Sequence, residues 1–375
     1  MPMMGVPSTF SIRTRTEGRT MGYQPRPSEF ARPEHEGDLT PYLTHLLDGN
    51  TLPEEQTASV FNAIMTGQCD HAEVGALLAL MATRLPTVEE LVGAASVMRE
   101  KVDHLDLGVP HDKLLDTAGT GGAPKTFNVS TAAAIIAAAS GSKVAKHGNR
   151  SRTGRGSAEV LEALGVNVDA GHSAQRRCLE SANVCFCYAI HHHPAAKHAM
   201  PVRKALGFPT IFNLLGPLTN PAGAGRQVMG VYRQEFVRPI ADALARLGSV
   251  RALVMHSEEG LDEFSLGGRS MVAQVDEGTV REYTVDPDAL GLQVTPYEAL
   301  QAQDLQHAVD LVRNVLSGEE RGPARDIVLL NAAAAIYAGG QEDSIEDALA
   351  VAAQSIDFGA ASEALEALVE ASNSS

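Results

Sequence analysis

The sequence predicts an α/β fold, in which a small all-helical domain is followed by a larger α/β domain with a mostly parallel central sheet flanked by helices. Two patterns predict this class. Helix signals are dense between residues 38 and 108, and from residue 109 onwards short apolar runs alternate with helical stretches. Such alternation favours a parallel sheet with helices on its faces. The 375 residues suffice for about two domains.

The N-terminal part of the chain divides into a tail and a helical domain. Residues 1–37 are polar and rich in Arg, Pro, Thr and Glu, which is typical of a flexible tail. Residues 38–108 form the predicted helical domain, and we expect a segment near residues 192–220 to join it. The first helix opens at Thr40-Pro41 and closes at Gly49, following the preference of helices for proline first and glycine last. Three later pairs have capping-box spacing: Thr51 with Glu54, Asp70 with Glu73, and Thr87 with Glu90.

Residues 109–375 form the predicted α/β domain. Short apolar runs typical of buried strands are residues 114–118, 143–146, 184–189, 228–232 and 251–256. Helical stretches include residues 132–140, 325–338, 344–354 and 361–371. In such sheets ligands bind where strands end and loops enter helices. The polar motifs of the sequence fall at these junctions.

The bulk composition narrows the classes of function. A net charge of −16 argues against a nucleic-acid surface. The four cysteines lack the paired spacing of a zinc site, and we interpret them as buried thiols in a reducing cytosol. No apolar run of the sequence approaches the roughly 20 residues of a membrane span. We therefore expect a cytoplasmic protein that binds neither a membrane nor nucleic acid.

The first polar motif, DTAGTGGAPKTFNVST at residues 116–131, follows a predicted strand and opens an Ala-rich helix. Gly119 and Gly122 allow a tight turn and a close approach of the backbone to a ligand. Asn128, Ser130 and Thr131 lie at the helix start, where free N–H groups and the helix dipole favour an anion. An ordinary glycine turn with a Ser/Thr cap is the alternative. The Asn-x-Ser-Thr run favours a phosphate site over it.

The second motif, KHGNRSRTGRGS at residues 146–157, follows the next predicted strand. Its concentration of positive charge and small hydroxyl side chains suits a polyanion such as pyrophosphate. The alternative is a solvated basic loop. In a chain with a net charge of −16, this local clustering favours a binding role.

The third motif, HHHPAAKHAMPVRKALG at residues 191–207, contains a histidine run and a single arginine. Consecutive histidines lack the i, i+4 spacing of a helical metal pair, which disfavours zinc. The guanidinium of Arg203 presents a planar fork that can hold a carboxylate bidentately, with a surface salt bridge as the alternative.

The fourth motif, HSEEGLDEF at residues 256–264, contains the adjacent carboxylates Asp262 and Glu263 in a predicted loop. Carboxylates completed by water and substrate phosphates are a typical Mg²⁺ site, and a plain acidic turn is the alternative. Residues 210–221 carry no ionisable group, and we interpret them as a structural turn that closes onto the site.

Taken in order from about residue 39 to the C-terminus, these segments resemble the anthranilate phosphoribosyltransferases of tryptophan biosynthesis. The resemblance is carried by GTGG at 119–122, TFNVST at 126–131, KHGNRS at 146–151, MPVR at 200–203, the turn at 212–221 and GLDE at 260–263. It implies transfer of the phosphoribosyl group of 5-phosphoribosyl 1-pyrophosphate (PRPP) to the amine of anthranilate. The products would be N-(5-phosphoribosyl)anthranilate and pyrophosphate. It also implies Mg²⁺ as cofactor and a homodimer formed through the helical domain.

The resemblance further implies a set of site residues. Catalysis would be by positioning and charge stabilisation, with Lys146 and Arg203 the most important side chains. Magnesium would be held by Ser130, Asp262 and Glu263. The substrates would contact Gly119, Gly122, Thr126, Asn128, Ser130, Thr131, Lys146, His147, Gly148, Asn149, Arg150, Ser151 and Arg203.

Two loops depart from the pattern that the family usually shows. Family members usually have GTGGD before a slightly longer loop, whereas Ala123-Pro124-Lys125 is one residue shorter and lacks the aspartate. After Ser151, residues 152–155 (RTGR) replace a Ser-rich stretch and are again one residue shorter. Both changes add positive charge where pyrophosphate is expected, so they bear on the magnesium arrangement and on the substrate.

Two other functions stay open from the sequence. One is an enzyme like the pyrimidine nucleoside phosphorylases, which share the fold and a glycine loop but not the KHGNRS and MPVR pair. The other is a divergent, non-catalytic family member that binds nucleic acid or a phosphorylated metabolite. The acidic net charge speaks against nucleic acid, and the Asp262-Glu263 pair speaks for a metal site.

Overall fold

The computed structural model describes residues 37–151 and 153–374. Apart from Gly37, the predicted tail lies outside the described residues, as does Arg152. The helices are α1 (Thr40–Leu47), α2 (Glu54–Thr66), α3 (His71–Ala82), α4 (Val88–Glu100), α5 (Val129–Ala139), α6 (Ser157–Ala163), α7 (His172–Ala182), α8 (Ala189–His192), α9 (Met200–Leu206), α10 (Ile211–Leu215), α11 (Val237–Arg246), α12 (Leu305–Leu316), α13 (Pro323–Gly339), α14 (Ile345–Asp357) and α15 (Ala360–Asn373). The strands are β1 (Leu114–Gly119), β2 (Lys143–Gly148), β3 (Val184–Tyr188), β4 (Arg226–Gly230), β5 (Arg251–Ser257), β6 (Ser270–Asp276) and β7 (Thr279–Val285).

The strands form one mostly parallel sheet in the order β3-β2-β1-β4-β5-β6-β7. Strands β1 to β5 are parallel to one another, whereas β6 pairs antiparallel with both β5 and β7 at one edge. The five predicted strands and the fold class are confirmed. The β6–β7 hairpin was not predicted, although its turn residues Glu277 and Gly278 both have the positive φ typical of a two-residue hairpin turn.

The predicted helix starts in the N-terminal region are confirmed at two of three places. Thr87 and Glu90 form a complete capping box at the start of α4, and the side chain of Asp70 caps α3. The box predicted for Thr51 is wrong, because α2 begins at Glu54 with Pro53 at its cap position. The N–H of the neighbouring Leu52 donates to the buried carboxylate of Glu90 at 3.0 Å.

The apolar core lies in two clusters, which meet at the middle of the sheet. One cluster contains residues of α1 to α4 together with α9, α10, α11 and one side of β4, β5 and β6. The other contains α5, α7, α12, α13, the opposite side of β4, β5 and β6, and residues on both sides of β1, β2 and β3. Along β5 the alternation is direct, since Val254 belongs to the first cluster while Leu253 and Met255 belong to the second. At β4 to β6 the period-two alternation of side chains in a strand therefore divides the core.

Residues near 192–220 pack against the N-terminal helices. Helix α9 lies against α3, and α10 lies against both α3 and α4. None of the helices within residues 37–151 and 153–374 combines the length and the apolar character needed to cross a bilayer.

Candidate active site

The glycine turn of the first motif connects β1 to α5. Gly121 and Gly122 have φ values of 64° and 98°, which favour glycine. Gly119 contributes differently, since a Cβ there would lie 2.7 Å from Asp262 Oδ2 and would displace that carboxylate. Asn128 stands at the cap position of α5, so the helix begins directly after this turn. The turn therefore sets a helix N-terminus beside the loop that contains Asp262.

Lys146 is buried between β1 and α5, with its side chain in the middle of the site. Its residue exposure is 3%, and Nζ donates to the Thr117 carbonyl at 2.6 Å and to the Thr117 and Ser130 hydroxyls at 3.2 and 3.4 Å. Burial lowers the pKa of Lys146 to about 8, although the nearby charges of Asp116 and Glu263 oppose this. The ammonium is thus fixed in position before any ligand binds.

The acidic pair of the fourth motif lies opposite Lys146, in the loop after β5. Asp262 Oδ2 accepts the Gly121 N–H at 3.1 Å, and Glu263 Oε2 accepts the Thr126 hydroxyl at 2.8 Å. Burial, and then the charge of Asp262, raise the pKa of Glu263 to about 8. Burial also raises the pKa of Asp262. Two adjacent carboxylates whose charges disfavour each other, and whose oxygens are hard ligands, suit a divalent ion.

The close approach of the acidic loop depends on glycines at the ends of two strands. Gly119 of β1 and Gly230 of β4 are partners in the sheet register. A Cβ on Gly230 would collide with the backbone of Asp262. The requirement for Gly230 was not predicted, because the sequence does not reveal which loop crosses the end of β4.

The basic loop after β2 is held by its own contacts. Arg150 pairs with Glu162 at 2.9 Å and donates to the Tyr188 hydroxyl at 3.0 Å. Arg155 donates to the carbonyl of Ala302, while its own carbonyl accepts from Asn128 at 3.3 Å.

The two loops that depart from the family pattern meet each other. Lys125 Nζ donates to the Thr153 hydroxyl at 3.3 Å. Lys125 and Arg155 both line a cavity at the carboxyl end of the parallel strands. The extra positive charge of the two loops is therefore concentrated in one place.

Arg203 enters the site from α9. Its guanidinium lies over the Phe212 ring, 5.0 Å from the centroid, so its plane is held by an aromatic face.

The three consecutive histidines of the third motif have different contact partners. His191 pairs with Asp169 at 2.7 Å, His192 contacts the Asp103 carbonyl and Gln175 at 3.0 Å, and His193 contacts His147.

Most of the predicted residues share a cavity of about 390 Å³ at the carboxyl end of the parallel strands. Those that line it are Gly119, Thr126, Asn128, Ser130, Lys146, His147, Gly148, Asn149, Arg150, Arg203, Asp262 and Glu263. Gly122 and Ser151 line an adjoining cavity of about 880 Å³, which also includes Arg150 and Arg203. Thr131 is buried and is not among the lining residues of either cavity.

The turn at residues 210–221 contributes several residues to the wall of the cavity, more than its lack of ionisable groups predicted. Phe212, Asn213, Gly216 and Pro217 line the same cavity, which confirms that the turn closes onto the site. Reasoning from ionisable groups missed them as wall residues. The aromatic ring of Phe212, nine residues after Arg203, was the available signal.

Comparisons with known proteins agree with this geometry. Residues 40–102 match the helical bundle domain of a glycosyl transferase family, and residues 111–362 match its a/b domain. An anthranilate phosphoribosyltransferase of Halorhodospira halophila is 43% identical over 88% of this chain and 97% of its own length. One from Anaeromyxobacter dehalogenans is 46% identical over 88% of this chain and 97% of its own length.

Solved structures of anthranilate phosphoribosyltransferases are also similar to this chain. The crystal structure of anthranilate phosphoribosyltransferase from Thermus thermophilus has a TM-score of 0.82 and 40% identity, covering 88% of this chain and 99% of that one. The Saccharomyces cerevisiae enzyme in complex with PRPP and Mg has a TM-score of 0.80 and 26% identity, covering 90% and 99%. With both domains matched and relatives covered over nearly their full length, the chain belongs to the glycosyl transferase family and, within it, to the anthranilate phosphoribosyltransferases.

Proposed function

We propose that this protein transfers the phosphoribosyl group of PRPP to the amine of anthranilate, releasing pyrophosphate. One observation carries the proposal. A single cavity brings together a helix N-terminus, the buried Lys146, the Asp262-Glu263 pair and the guanidinium of Arg203. These groups match the parts of the two substrates: a diphosphate, a divalent ion that accompanies it, and a carboxylate. A yeast relative is described in complex with PRPP and Mg, and also with 4-fluoroanthranilate.

The diphosphate is assigned to the wall formed by β1, α5 and the basic loop. The dipole at the N-terminus of α5 and the ammonium of Lys146 supply positive potential in a partly dehydrated space. Gly119, Gly122, Thr126, Asn128, Ser130 and Thr131, with the loop residues 146–151, are the proposed contacts. Thr131 is the weakest of these, because its side chain is buried and is not part of the lining.

Magnesium is assigned to Ser130, Asp262 and Glu263. The donor set fits, because it offers hard oxygens, and burial raises the pKa of both carboxyls. When bound there, Mg²⁺ would supply positive charge to the pyrophosphate oxygens.

Anthranilate is assigned to the side of the cavity formed by α9 and the turn at 210–221. Arg203 would hold the carboxylate, and its stacking on Phe212 would keep the guanidinium plane fixed. His147, Gly148 and Asn149 line the same cavity. This grip would aim the amine at C1 of the ribose.

The chemistry needs little more than positioning and charge stabilisation. Breaking the bond from C1 to pyrophosphate leaves cationic character on the ribose and negative charge on the leaving group. Lys146 and the α5 N-terminus stabilise that negative charge. The aryl amine is already neutral near pH 7, so no strong base is needed to activate it for attack.

We also propose that residues 38–108 with the segment near 192–220 act as the helical domain and mediate a homodimer. Within this domain, the large apolar side chains of Leu47 in α1 and Met200 in α9 are 59% and 47% exposed, so each offers apolar area to a partner. Light scattering coupled to size exclusion should give twice the chain mass for the wild type and a smaller species for Leu47→Asp. Unchanged mass would contradict a contact at α1. The cytoplasmic location stays a prediction.

The decisive test is a fluorescence assay that follows anthranilate consumption with PRPP and Mg²⁺. We expect turnover that depends on all three components and produces equimolar pyrophosphate. Anthranilate that persists while thymidine is cleaved in the presence of phosphate would instead establish a nucleoside phosphorylase. Calorimetric binding of PRPP without any turnover would establish a non-catalytic binder.

A further inference from the structure

The basic loop after β2, residues 149–157, closes on itself at the start of α6. Gly156 stands at the cap position of that helix. A Cβ on Gly156 would lie 2.6 Å from the Asn149 carbonyl oxygen and 2.7 Å from the Ser151 backbone nitrogen. The same Asn149 carbonyl accepts the Ala158 N–H at 3.4 Å. The two ends of the loop are therefore in close contact.

One carboxylate joins these two ends. Glu159 is the third residue of α6, and its Oε2 accepts the Gly156 N–H at 3.0 Å. The Ser151 N–H donates to both carboxylate oxygens, each at 3.3 Å. The contact with Gly156 is the usual cap that a glutamate makes at this helix position. The contact with Ser151, eight residues earlier, is not needed for the cap and instead fixes the shape of the loop.

The closed loop in turn holds two groups at the wall assigned to the diphosphate. The Arg155 N–H donates to Ser151 Oγ at 3.0 Å, and the Arg155 carbonyl accepts Asn128 Nδ2 at 3.3 Å. The guanidinium of Arg155 donates to the Ala302 carbonyl. Both Arg155 and Asn128 line the cavity. A continuous series of hydrogen bonds thus runs from Glu159 through Ser151 and Arg155 to the start of α5.

Glu159 itself acts from behind the loop. It is half-buried, and the residues that line the two cavities do not include it. Burial lowers the pKa of Lys125, which lines the cavity, and the charges of Asp262 and Glu159 oppose this. The negative charge of Glu159 therefore reaches the basic wall, where it disfavours a polyanion. By charge alone Glu159 opposes binding of the donor, so it can favour binding only through its hydrogen bonds.

We propose that Glu159 is a positioning residue for the binding of PRPP. Its hydrogen bonds to Ser151 and Gly156 fold the basic loop. The folded loop keeps Arg155 and Asn128 at the wall of the cavity, where they meet the diphosphate. Because PRPP is the donor only under the proposed function, this role rests on that function.

The sign of the effect on PRPP affinity separates positioning from charge. Glu159→Gln removes the charge, but its amide oxygen can take the place of Oε2 and accept both N–H groups. Glu159→Ala removes the charge and the hydrogen bonds together. If charge alone mattered, both variants would bind PRPP more tightly than the wild type. We expect instead that Glu159→Ala raises the dissociation constant by roughly tenfold, while Glu159→Gln binds at least as tightly as the wild type.

Titration calorimetry with PRPP and Mg²⁺ measures these dissociation constants without turnover. Asp347→Ala is the matched control, since Asp347 occupies the same third position in α14, where it accepts the Ser344 hydroxyl at 2.6 Å. Its affinity for PRPP should equal that of the wild type. A Glu159→Ala variant that binds PRPP as tightly as the wild type, or more tightly, would overturn the role. Weakened binding in Glu159→Gln would contradict it as well, because the hydrogen bonds are kept there.

Proteolysis and kinetics test the loop by other means. Trypsin cleaves after arginine, and we expect cleavage after Arg150 or Arg155 to be several-fold faster in Glu159→Ala than in the wild type or Glu159→Gln. Thermal melting would show that each variant is folded. In steady-state kinetics the KM for PRPP should rise in Glu159→Ala while kcat stays within about twofold, since uniform binding is lost. Equal cleavage rates, or a fall in kcat with an unchanged KM, would contradict the positioning role.

Failure of the proposed function has a different signature. A wild type that neither binds PRPP nor consumes anthranilate would remove the proposed function, and the role of Glu159 with it. An active wild type whose Glu159→Ala variant has an unchanged affinity for PRPP would remove the role of Glu159 alone.

Discussion

The two walls of the cavity have opposite charges. On both walls, burial disfavours the charged form of the side chains. The basic wall contains Lys146, Arg150 and Arg155, and the acidic wall contains Asp262 and Glu263. Burial lowers the pKa of Lys146 from 10.5 to about 8 and raises that of Glu263 from 4.5 to about 8. Each wall thus disfavours its own charge until a partner of opposite sign arrives. A polyanion with a divalent cation would relieve both.

The walls differ in how they are held. Lys146 is anchored by three oxygens of Thr117 and Ser130, on elements next to its own strand. The acidic wall depends on a distant loop pressing against Gly119 and Gly230. The first wall is a local product of the strand-to-helix junctions, and the second requires the whole sheet to be assembled.

The largest expected effect is on the basic wall. Lys146→Met removes the buried cation but keeps the length of the side chain, and we expect kcat/KM for PRPP to fall by roughly 10³-fold. Steady-state kinetics would measure this, with circular dichroism to confirm the fold. A loss of less than tenfold would show that the helix N-terminus and the metal suffice.

The acidic wall is tested by Glu263→Gln. We expect the Mg²⁺ concentration needed for half-maximal activity to rise by roughly 10–100-fold, because a charged oxygen ligand is lost. Titration of activity against Mg²⁺ measures this. If the Mg²⁺ dependence is unchanged, Glu263 is not a ligand.

Glu263→Gln should also change how the stability of the metal-free protein depends on pH. The pKa of Glu263 in the folded protein, about 8, lies above its ordinary value of 4.5. The metal-free wild type should therefore lose stability as pH rises from about 4.5 to 8, since the unfolded chain releases that proton first. Glu263→Gln should lack this contribution. Thermal melts at about pH 5 and about pH 8 without metal would detect the difference.

Arg203 belongs to neither the basic nor the acidic wall. Its substitution therefore tests whether the two walls bind only PRPP, the phosphoribosyl donor. Arg203→Ala should raise the KM for anthranilate by roughly 10–100-fold, since a charge-assisted bidentate contact is lost, and leave PRPP affinity nearly unchanged. Arg203→Lys should recover only part of the affinity, because the planar fork is absent. An unaltered KM for anthranilate would count against the carboxylate grip.

The smallest effect is expected from the rim of the basic wall. Arg155→Gln should raise the KM for PRPP by a few-fold at low salt, and the difference should shrink at high salt, because a half-buried charge at the rim is partly screened. Arg313→Gln is a suitable control, since Arg313 lies on α12 and pairs with Asp310. A large effect that persists in salt would place Arg155 among the direct contacts.

Much of the site was predictable because its residues lie within short motifs at strand-to-helix junctions. The glycine turn, Asn128, Ser130 and Lys146 occur within thirty-five residues, and parallel strands bring such junctions to one edge. The β6–β7 hairpin was less accessible, because β7 is largely exposed and its side chains have a weak apolar pattern. The failed capping box at Thr51 has a local cause, since Pro53 takes the cap position.

By itself, the sequence determined the fold class, five of the strands and the chemical type of each wall. These features depend on periodicity and on residue identity within short windows. The tertiary structure alone decided three things: that Gly230 must admit the loop containing Asp262, that the two altered loops meet at Lys125 and Thr153, and that His147 faces His193. Each is a contact between segments far apart in the chain. Such contacts follow from how the chain packs around the sheet, which no local pattern specifies.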